Sequence, residues 1–392
     1  FLFCVCFPFP LSPFLSIITN VFLSINSGKG AFHYNECFSV HQFGKGGKGE
    51  LPRFLSYAEK GVFADLTPLT EKTGFSREKY DQNALQYGQI NGKQRFLPLG
   101  ITVSFCVTTK SLSEQYGLAA IGEKLSYQNY FDLLEPTGTR GDVFWFSEVS
   151  SFLYPLATSF IDTENLESHF DSEKFRTALQ NLETVKKEED AYFKACQDGE
   201  EYTTDFEMLH LKKLLFGHSF YQGARELQTA IENFQKHSPE REEFEIYPMR
   251  DFSDENSFTS HIMQMVAVNE TCKDKQKAWK FVEYLLSDSV QSTMGESNIL
   301  IYGEPVNLDA RRQNKELWEK FAENDPALLN FIGKYYEMLD HTTGCGTITY
   351  NMEYFNQVFA PYYEDYEKGR ITLEEFCRQL DNKTGIFLKE NA

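Results

Sequence analysis

The chain has 392 residues, of which 41% are hydrophobic and 24% charged, a composition typical of a globular protein long enough for two domains. The formal net charge of −19 argues against nucleic-acid binding, because binding phosphate requires clustered Lys and Arg. It also argues against adhesion to an anionic membrane surface through basic residues.

The 8 cysteines are scattered along the chain and form no CxxC pair. Zinc sites need converging ligands, usually at paired short spacings, so we expect neither a metal site nor a cofactor. The same scatter gives no support to a disulfide framework. We expect these cysteines to be free and mostly buried.

The first 48 residues do not match the rest of the chain. Residues 1–25 are apolar, but Pro8, Pro10 and Pro13 argue against a membrane-spanning helix, and no basic residue precedes the apolar run as in a signal peptide. GKGGKG at 44–49 lacks the Ser or Thr that follows the lysine of a phosphate-binding loop, and a flexible linker is the favoured interpretation.

From Leu51 the sequence predicts ordinary secondary structure. A short helix ends at Gly61, and Asn91-Gly92 indicates a hairpin turn. Residues 101–108 alternate between apolar and small polar side chains, which predicts a strand with one apolar and one polar face. The aromatic-rich stretch 127–160 is predicted to be helical with loops.

The C-terminal third of the chain is predicted to be helical throughout, and the part before it to combine helices with strands. Strands are expected at 244–249 and 261–268. The predicted helices cover 172–196, 203–216, 275–288, 309–323, 326–339, 351–367 and 372–380. Asp274 is the expected cap of the 275–288 helix, Gly369 ends the 351–367 helix, and Thr372 with Glu375 forms a capping box. Strands interleaved with helices predict an α/β architecture.

Five segments in order resemble the bacterial extracellular solute-binding proteins of the carbohydrate-importing, maltose-binding-like group. They are YAEKGVFADLTPL at 57–69, INGKQRFLPLGITVSFCVTTKSLSEQYGL at 90–118, VNETCKDKQKAWKFVEYLLSDSVQ at 268–291, YGEPVNLDA at 302–310 and YEKGRITLEEFCRQLDNKTGIFLKE at 366–390. Cys272 and Asp274 depart from the Ser and Asn of the family pattern. About one hundred residues of N-terminal βαβ structure, usual in the family, are not recognisable.

The resemblance implies a type II periplasmic-binding-protein-like fold, with two α/β lobes joined by a hinge and a helix-rich C-terminal portion. We expect an atypical lead-in at 1–48 and a partial first lobe at 49–108. A second lobe with hinge-crossing strands is expected at 109–268, and a helical region packing on both lobes at 269–392. The ligand would lie between the lobes, which close around it by hinge motion.

Sugar sites combine stacked aromatic rings with polar hydrogen-bonding groups. The candidate ligand-binding residues are Thr102, Ser104, Trp145, Glu148, Tyr221 and Tyr302. Thr102 and Ser104 lie on the polar face of the strand expected to cross between the lobes, although small residues under a helix explain them nearly as well. For Trp145 a core position beside Phe144 and Phe146 is an equal alternative, and Trp279 is expected in the core.

The sequence therefore predicts an extracellular, monomeric binding protein, anchored to the membrane in its full-length form. Its partners would be a small solute, chiefly a carbohydrate, and an ABC permease. A non-sugar solute and a truncated surface protein without ligand binding are the alternatives. An enzyme is not expected, because the sequence contains neither an HExxH nor a GxSxG motif.

Overall fold

The computed structural model describes residues 38–42, 54–120, 144–146, 153, 156–162, 165–197, 209, 211–212, 214–219, 243–250, 258–292, 303–347 and 354–391. The strands are β1 (Phe38–Gln42), β2 (Gln89–Ile90), β3 (Lys93–Gln94), β4 (Leu97–Thr102), β5 (Phe105–Thr109), β6 (Phe144–Phe146), β7 (Ile161–Asp162), β8 (Glu167–Ser168), β9 (Leu214–Ser219), β10 (Phe244–Pro248), β11 (Thr259–Val268), β12 (Glu304–Pro305) and β13 (Gly344–Thr347).

The α-helices are α1 (Phe54–Glu59), α2 (Thr67–Thr73), α3 (Gln82–Tyr87), α4 (Lys110–Tyr116), α5 (Glu173–Gln197), α6 (Lys275–Leu285), α7 (Asp288–Gln291), α8 (Leu308–Phe321), α9 (Pro326–Asp340), α10 (Ala360–Glu367) and α11 (Leu373–Asn391). Short 3-10 turns cover Arg77–Lys79 and Leu118–Ala120, and a π-helical stretch covers Phe355–Phe359. Among the helices of these segments, none has the length and apolarity that crossing a bilayer requires.

Two separate sheets form the centres of two α/β lobes. In the first sheet the strand order is β1-β11-β4-β12. Strand β13 also pairs with β11, on the same side of β11 as β1. In the second sheet the order is β10-β5-β9-β6. Most neighbouring strands are antiparallel, but β13 runs parallel to β11 and β6 runs parallel to β9. The predicted α/β fold is confirmed.

The chain passes from one sheet to the other between β4 and β5. β4 ends at Thr102 in the first sheet and β5 begins at Phe105 in the second, so that only Val103 and Ser104 join them. The chain returns to the first sheet between β10 and β11. The backbone N–H of Met249 donates to the Ser104 carbonyl at 3.1 Å, which ties the outgoing and returning segments together.

The prediction of one continuous strand over 101–108 is therefore wrong, because the structure divides these residues between two strands in two sheets. Both the apolar and the small polar residues of β4 and β5 are buried. Helices cover the sheets: α3 packs on β4, α6 on β11, and both α4 and α9 on β10. A strand covered on both faces is buried throughout, whatever its alternation.

Local signals in the sequence explain where several elements begin and end. Asn91 and Gly92 both have positive φ, 51° and 72°, as the turn of the β2–β3 hairpin requires. The Asp274 side chain accepts the Lys277 N–H at 2.9 Å and caps α6. In the predicted capping box, the Thr372 hydroxyl accepts the Glu375 N–H at 3.2 Å and the Glu375 carboxylate accepts the Thr372 N–H at 2.9 Å.

Three further predictions about secondary structure are wrong. Residues 214–216 lie in β9 rather than in a helix, because this apolar run pairs with β5 on one side and β6 on the other. Residues 144–146 form strand β6 within the stretch predicted to be helical. The C-terminal third is not wholly helical, since β13 adds to the edge of the first sheet. In each case strand pairing overrides local preference.

The core contains the residues that helical spacing predicts. On α5, the buried residues are Phe175, Ala178, Leu179 and Leu182. On α6, Trp279 is 1% exposed and donates its indole N–H to the Thr73 hydroxyl at 2.9 Å, so its predicted core position is confirmed. Cys106 and Cys377 are buried and have free thiols, as predicted. The prediction is wrong for Cys272, which is disulfide-bonded.

Candidate functional site

The polar residues predicted on the crossing strand lie where the chain leaves the first sheet. Thr102 is the last residue of β4 and stands opposite His261 of β11 in the strand register. Ser104 follows in the crossing segment, and its hydroxyl lies 3.3 Å from Nε2 of His261. Thr102, Ser104 and His261 therefore form one polar cluster at the crossing, which we call the crossing cluster.

His261 of β11 is the titratable member of the crossing cluster. Burial of the ring lowers the pKa of His261 to about 4. The residue nevertheless retains partial solvent exposure. At neutral pH its imidazole is uncharged and carries one hydrogen-bond donor and one acceptor.

The two predicted residues of the cluster differ in their hydrogen bonding. The Thr102 side chain is fully buried, and its hydroxyl has no hydrogen-bond partner among the described residues. Ser104 is half-buried and pairs with His261. The structure brings Thr102 and Ser104 together as predicted; that they bind a solute stays a prediction.

Two glycines of β13, Gly344 and Gly346, pair with the part of β11 that carries His261. In the register, Gly344 stands opposite Thr259 and Gly346 stands opposite His261. Residues opposite one another in neighbouring strands share a face of the sheet. A Cβ atom placed on Gly344 would have no heavy atom within 4 Å, so there is open space above this part of the face. Another molecule can therefore approach the backbone closely here.

The other predicted site residues are less well defined. Trp145 lies in β6, an edge strand of the second sheet, and its side chain is outside the described part of the structure. Glu148, Tyr221 and Tyr302 lie outside the described residues.

A second polar cluster is buried beside the crossing, and sequence reasoning did not find it. Glu304 of β12 pairs with Ile101 in the register and is 3% exposed. Its carboxylate accepts a hydrogen bond from the Tyr336 hydroxyl at 3.1 Å. Desolvation raises the pKa of Glu304 to about 7, although the Tyr336 hydrogen bond, the charge of Arg311 and a hydrogen bond with Asn314 act in the opposite direction. Burial likewise raises the pKa of Tyr336.

An ion pair completes this buried cluster. One terminal nitrogen of Arg311 donates to Asp81 at 3.0 Å, while Nε donates to the Pro305 carbonyl at 3.0 Å. Asp81 also caps α3 by accepting the Ala84 N–H at 3.0 Å. A groove of about 590 Å³ runs past this pair and is also lined by Leu308 and Asp340. Because the two buried charges compensate each other, the pair offers no uncompensated charge to a ligand in the groove.

The described residues contain no group of three or more His, Cys, Asp and Glu side chains arranged to hold a metal ion. The chemistry of the crossing cluster is that of reversible hydrogen bonding by two hydroxyls and a neutral imidazole. His261 was not among the predicted residues, because its proximity to Ser104 depends on the pairing of strands that are 157 residues apart in sequence.

Comparisons with known proteins agree with this architecture. The family model for bacterial extracellular solute-binding protein matches residues 49–329. A comparison with curated proteins gave no match.

Three similar solved structures share the fold at low sequence identity. The sugar-binding protein MalE from Xanthomonas citri is 12% identical, with 97% of this chain and 89% of that chain covered and a TM-score of 0.57. An ABC substrate-binding protein from Listeria monocytogenes in complex with cycloalternan is 14% identical, with 86% and 83% covered and a TM-score of 0.53. The cyclic alpha-maltosyl-1,6-maltose binding protein from Arthrobacter globiformis is 15% identical, with 97% and 90% covered and a TM-score of 0.51. These similarities show a type II periplasmic-binding-protein fold.

Proposed function

Because this chain belongs to the bacterial extracellular solute-binding proteins, we propose that it captures an oligosaccharide between its two lobes and delivers it to an ABC importer. The observation that carries the proposal is the crossing itself. Two sheets are joined through Val103 and Ser104, and a polar, partly exposed cluster stands at that junction. A ligand that contacts both lobes binds the closed arrangement more tightly and shifts the population toward it.

The chemistry of the crossing cluster suits a carbohydrate. Sugar hydroxyls both donate and accept hydrogen bonds, as do the side chains of Thr102, Ser104 and neutral His261. None of the three carries a charge at neutral pH, so an uncharged solute can bind without leaving a buried charge unpaired. The Listeria relative in complex with cycloalternan and the cyclic alpha-maltosyl-1,6-maltose binding protein from Arthrobacter support the same class of solute.

The disulfide at Cys272 supports function outside the cytoplasm, because disulfides form and persist mainly in oxidising compartments. Attachment to the membrane in the full-length protein, a monomeric state and docking to a permease belong to the same proposal. The predicted division at 49–108, 109–268 and 269–392 remains a prediction about domain boundaries. Binding without turnover is also part of the proposal, since the family consists of substrate-binding proteins.

A thermal-shift screen tests the function directly. The purified chain would be mixed with linear and cyclic gluco-oligosaccharides and, separately, with peptides and polyamines. A ligand that binds only the native state raises the melting temperature as its concentration rises above Kd. We expect stabilisation by at least one oligosaccharide and unchanged sugar after long incubation. Stabilisation by peptides or polyamines alone would replace the carbohydrate assignment, and release of sugar fragments would show an enzyme.

A further inference from the structure

His261 has unused hydrogen-bonding capacity at the crossing. Its Nε2 lies 3.3 Å from the Ser104 hydroxyl, whereas Nδ1 has no hydrogen-bond partner in the described part of the chain. The ring keeps partial solvent exposure, so this second nitrogen is not sealed in the core. An imidazole that is held at one nitrogen and open at the other has a fixed orientation and one available hydrogen-bonding group.

Thr102 stands opposite His261 in the strand register, and its hydroxyl lacks a partner within the described structure. A buried polar group left without a hydrogen bond costs on the order of 1–3 kcal/mol. Such a cost is recovered when a water or a ligand hydroxyl occupies the adjacent space. There is open space above Gly344, which stands opposite Thr259, two residues before His261 on β11.

From these contacts we propose that His261, supported by Ser104 and Thr102, is a solute-binding residue that receives a hydroxyl group of a neutral ligand at the crossing between the two sheets. The inference rests on the proposed function and assigns the residue that recognises the ligand. It specifies an uncharged, hydroxyl-bearing solute, because all three groups are neutral and each can donate and accept hydrogen bonds. It also gives the ligand a contact at the hinge.

The contact at the hinge follows from the position of Ser104. This residue belongs to the crossing segment, and its carbonyl accepts the N–H of Met249, which lies on the returning segment. A ligand held by His261 is therefore hydrogen-bonded beside the segment where the chain passes between the two sheets. Interactions that are stronger in the closed state favour closure.

The test compares three variants by titration calorimetry with the oligosaccharide that the wild-type chain binds most tightly. His261→Phe removes both ring nitrogens but keeps a planar ring. Thr102→Val removes a buried hydroxyl with little change in shape. Thr108→Val is the matched control, because Thr108 is equally buried on β5 and its hydroxyl also lacks a partner among the described residues.

We expect His261→Phe and Thr102→Val to weaken binding about tenfold or more, and Thr108→Val to leave Kd within about twofold of wild type. Circular dichroism and melting temperatures identify any variant that fails to fold, in which case Thr102→Val alone decides the outcome. If the wild-type chain binds the oligosaccharide and both His261→Phe and Thr102→Val bind it equally well, this inference is overturned. The proposed function would still stand. No binding of any oligosaccharide by the wild-type chain would overturn both.

Discussion

Tyr336 of α9 donates a hydrogen bond of 3.1 Å to Glu304 of β12 in the first sheet. Two residues earlier on the same helix, Lys334 forms an ion pair with Glu245 of the second sheet. The Phe331 ring also packs edge-on against Phe105 of β5, with 6.4 Å between ring centroids. Helix α9 therefore contacts both lobes close to the crossing, and a change in the angle between them must alter one of these sets of contacts.

Replacing Glu304 with Gln should change how stability depends on pH. The pKa of Glu304 is raised from 4.5 to about 7, so its contribution to stability is complete below about 4.5 and is lost as pH rises through 7. Gln keeps an acceptor for Tyr336 and cannot ionise. We expect Glu304→Gln to gain on the order of 1–3 kcal/mol relative to wild type between pH 4.5 and 8, measured by urea unfolding.

Tyr336→Phe provides the opposite control, because it removes the donor that stabilises the ionised carboxylate. Its loss of stability relative to wild type should grow as pH rises, over the same pH range in which Glu304→Gln gains stability relative to wild type. A difference between Glu304→Gln and wild type that does not change with pH would show that Glu304 is not the titrating group.

Breaking the buried ion pair should be far more costly than breaking an exposed one. Arg311→Met leaves the Asp81 carboxylate without its cation in a site where both side chains are at most 8% exposed. We expect a loss of roughly 3–5 kcal/mol in the free energy of unfolding. Arg312→Met, which removes the exposed pair with Asp309, should cost less than about 1 kcal/mol. Equal losses for the two variants would contradict this reading of the buried cluster.

Gly303 is required by its conformation and by its surroundings. Its φ is +84°, and a Cβ atom would lie 2.6 Å from the Ile101 carbonyl oxygen. Gly303→Ala should therefore lower stability by more than about 1 kcal/mol. Gly333 lies within α9 and has nothing within 4 Å of an added Cβ, so Gly333→Ala should leave stability unchanged or raise it by up to about 1 kcal/mol. Calorimetric melting of both variants decides between these outcomes.

Cys272 should behave differently from the other described cysteines. Under denaturing conditions without reductant, Cys106, Cys345 and Cys377 should react with a thiol reagent, while Cys272 should react only after reduction. Peptide mass spectrometry of the labelled protein gives the result residue by residue. Reduction should lower stability by about 2–4 kcal/mol, and this effect should be absent in Cys272→Ser. Labelling of Cys272 in the unreduced protein would contradict the assignment.

The sequence contains enough local information to predict most helices and the class of fold. Capping residues such as Asp274 and Thr372 act within one helical turn, so their effect is visible in the sequence. The strands β6 and β9 were missed because they are defined by pairing with each other and with β5, across long separations in the chain. A short apolar run does not distinguish a strand from a buried helix.

The site was predictable only in part for the same reason. Thr102 and Ser104 were found because they lie on one alternating segment. His261 and Glu304 come next to that segment through the register of β11 and β12 against β4, which no local pattern encodes. The disulfide of Cys272 was missed because cysteine spacing does not reveal which thiols meet in the folded chain.

Small-angle X-ray scattering with and without a saturating oligosaccharide tests most directly whether the two lobes close on a solute. The ligand should be the tightest binder from calorimetry, so that occupancy is known. We expect the radius of gyration to fall on saturation and the change to follow the binding isotherm. A radius of gyration that stays the same while calorimetry shows full occupancy would contradict capture by closure of the two lobes.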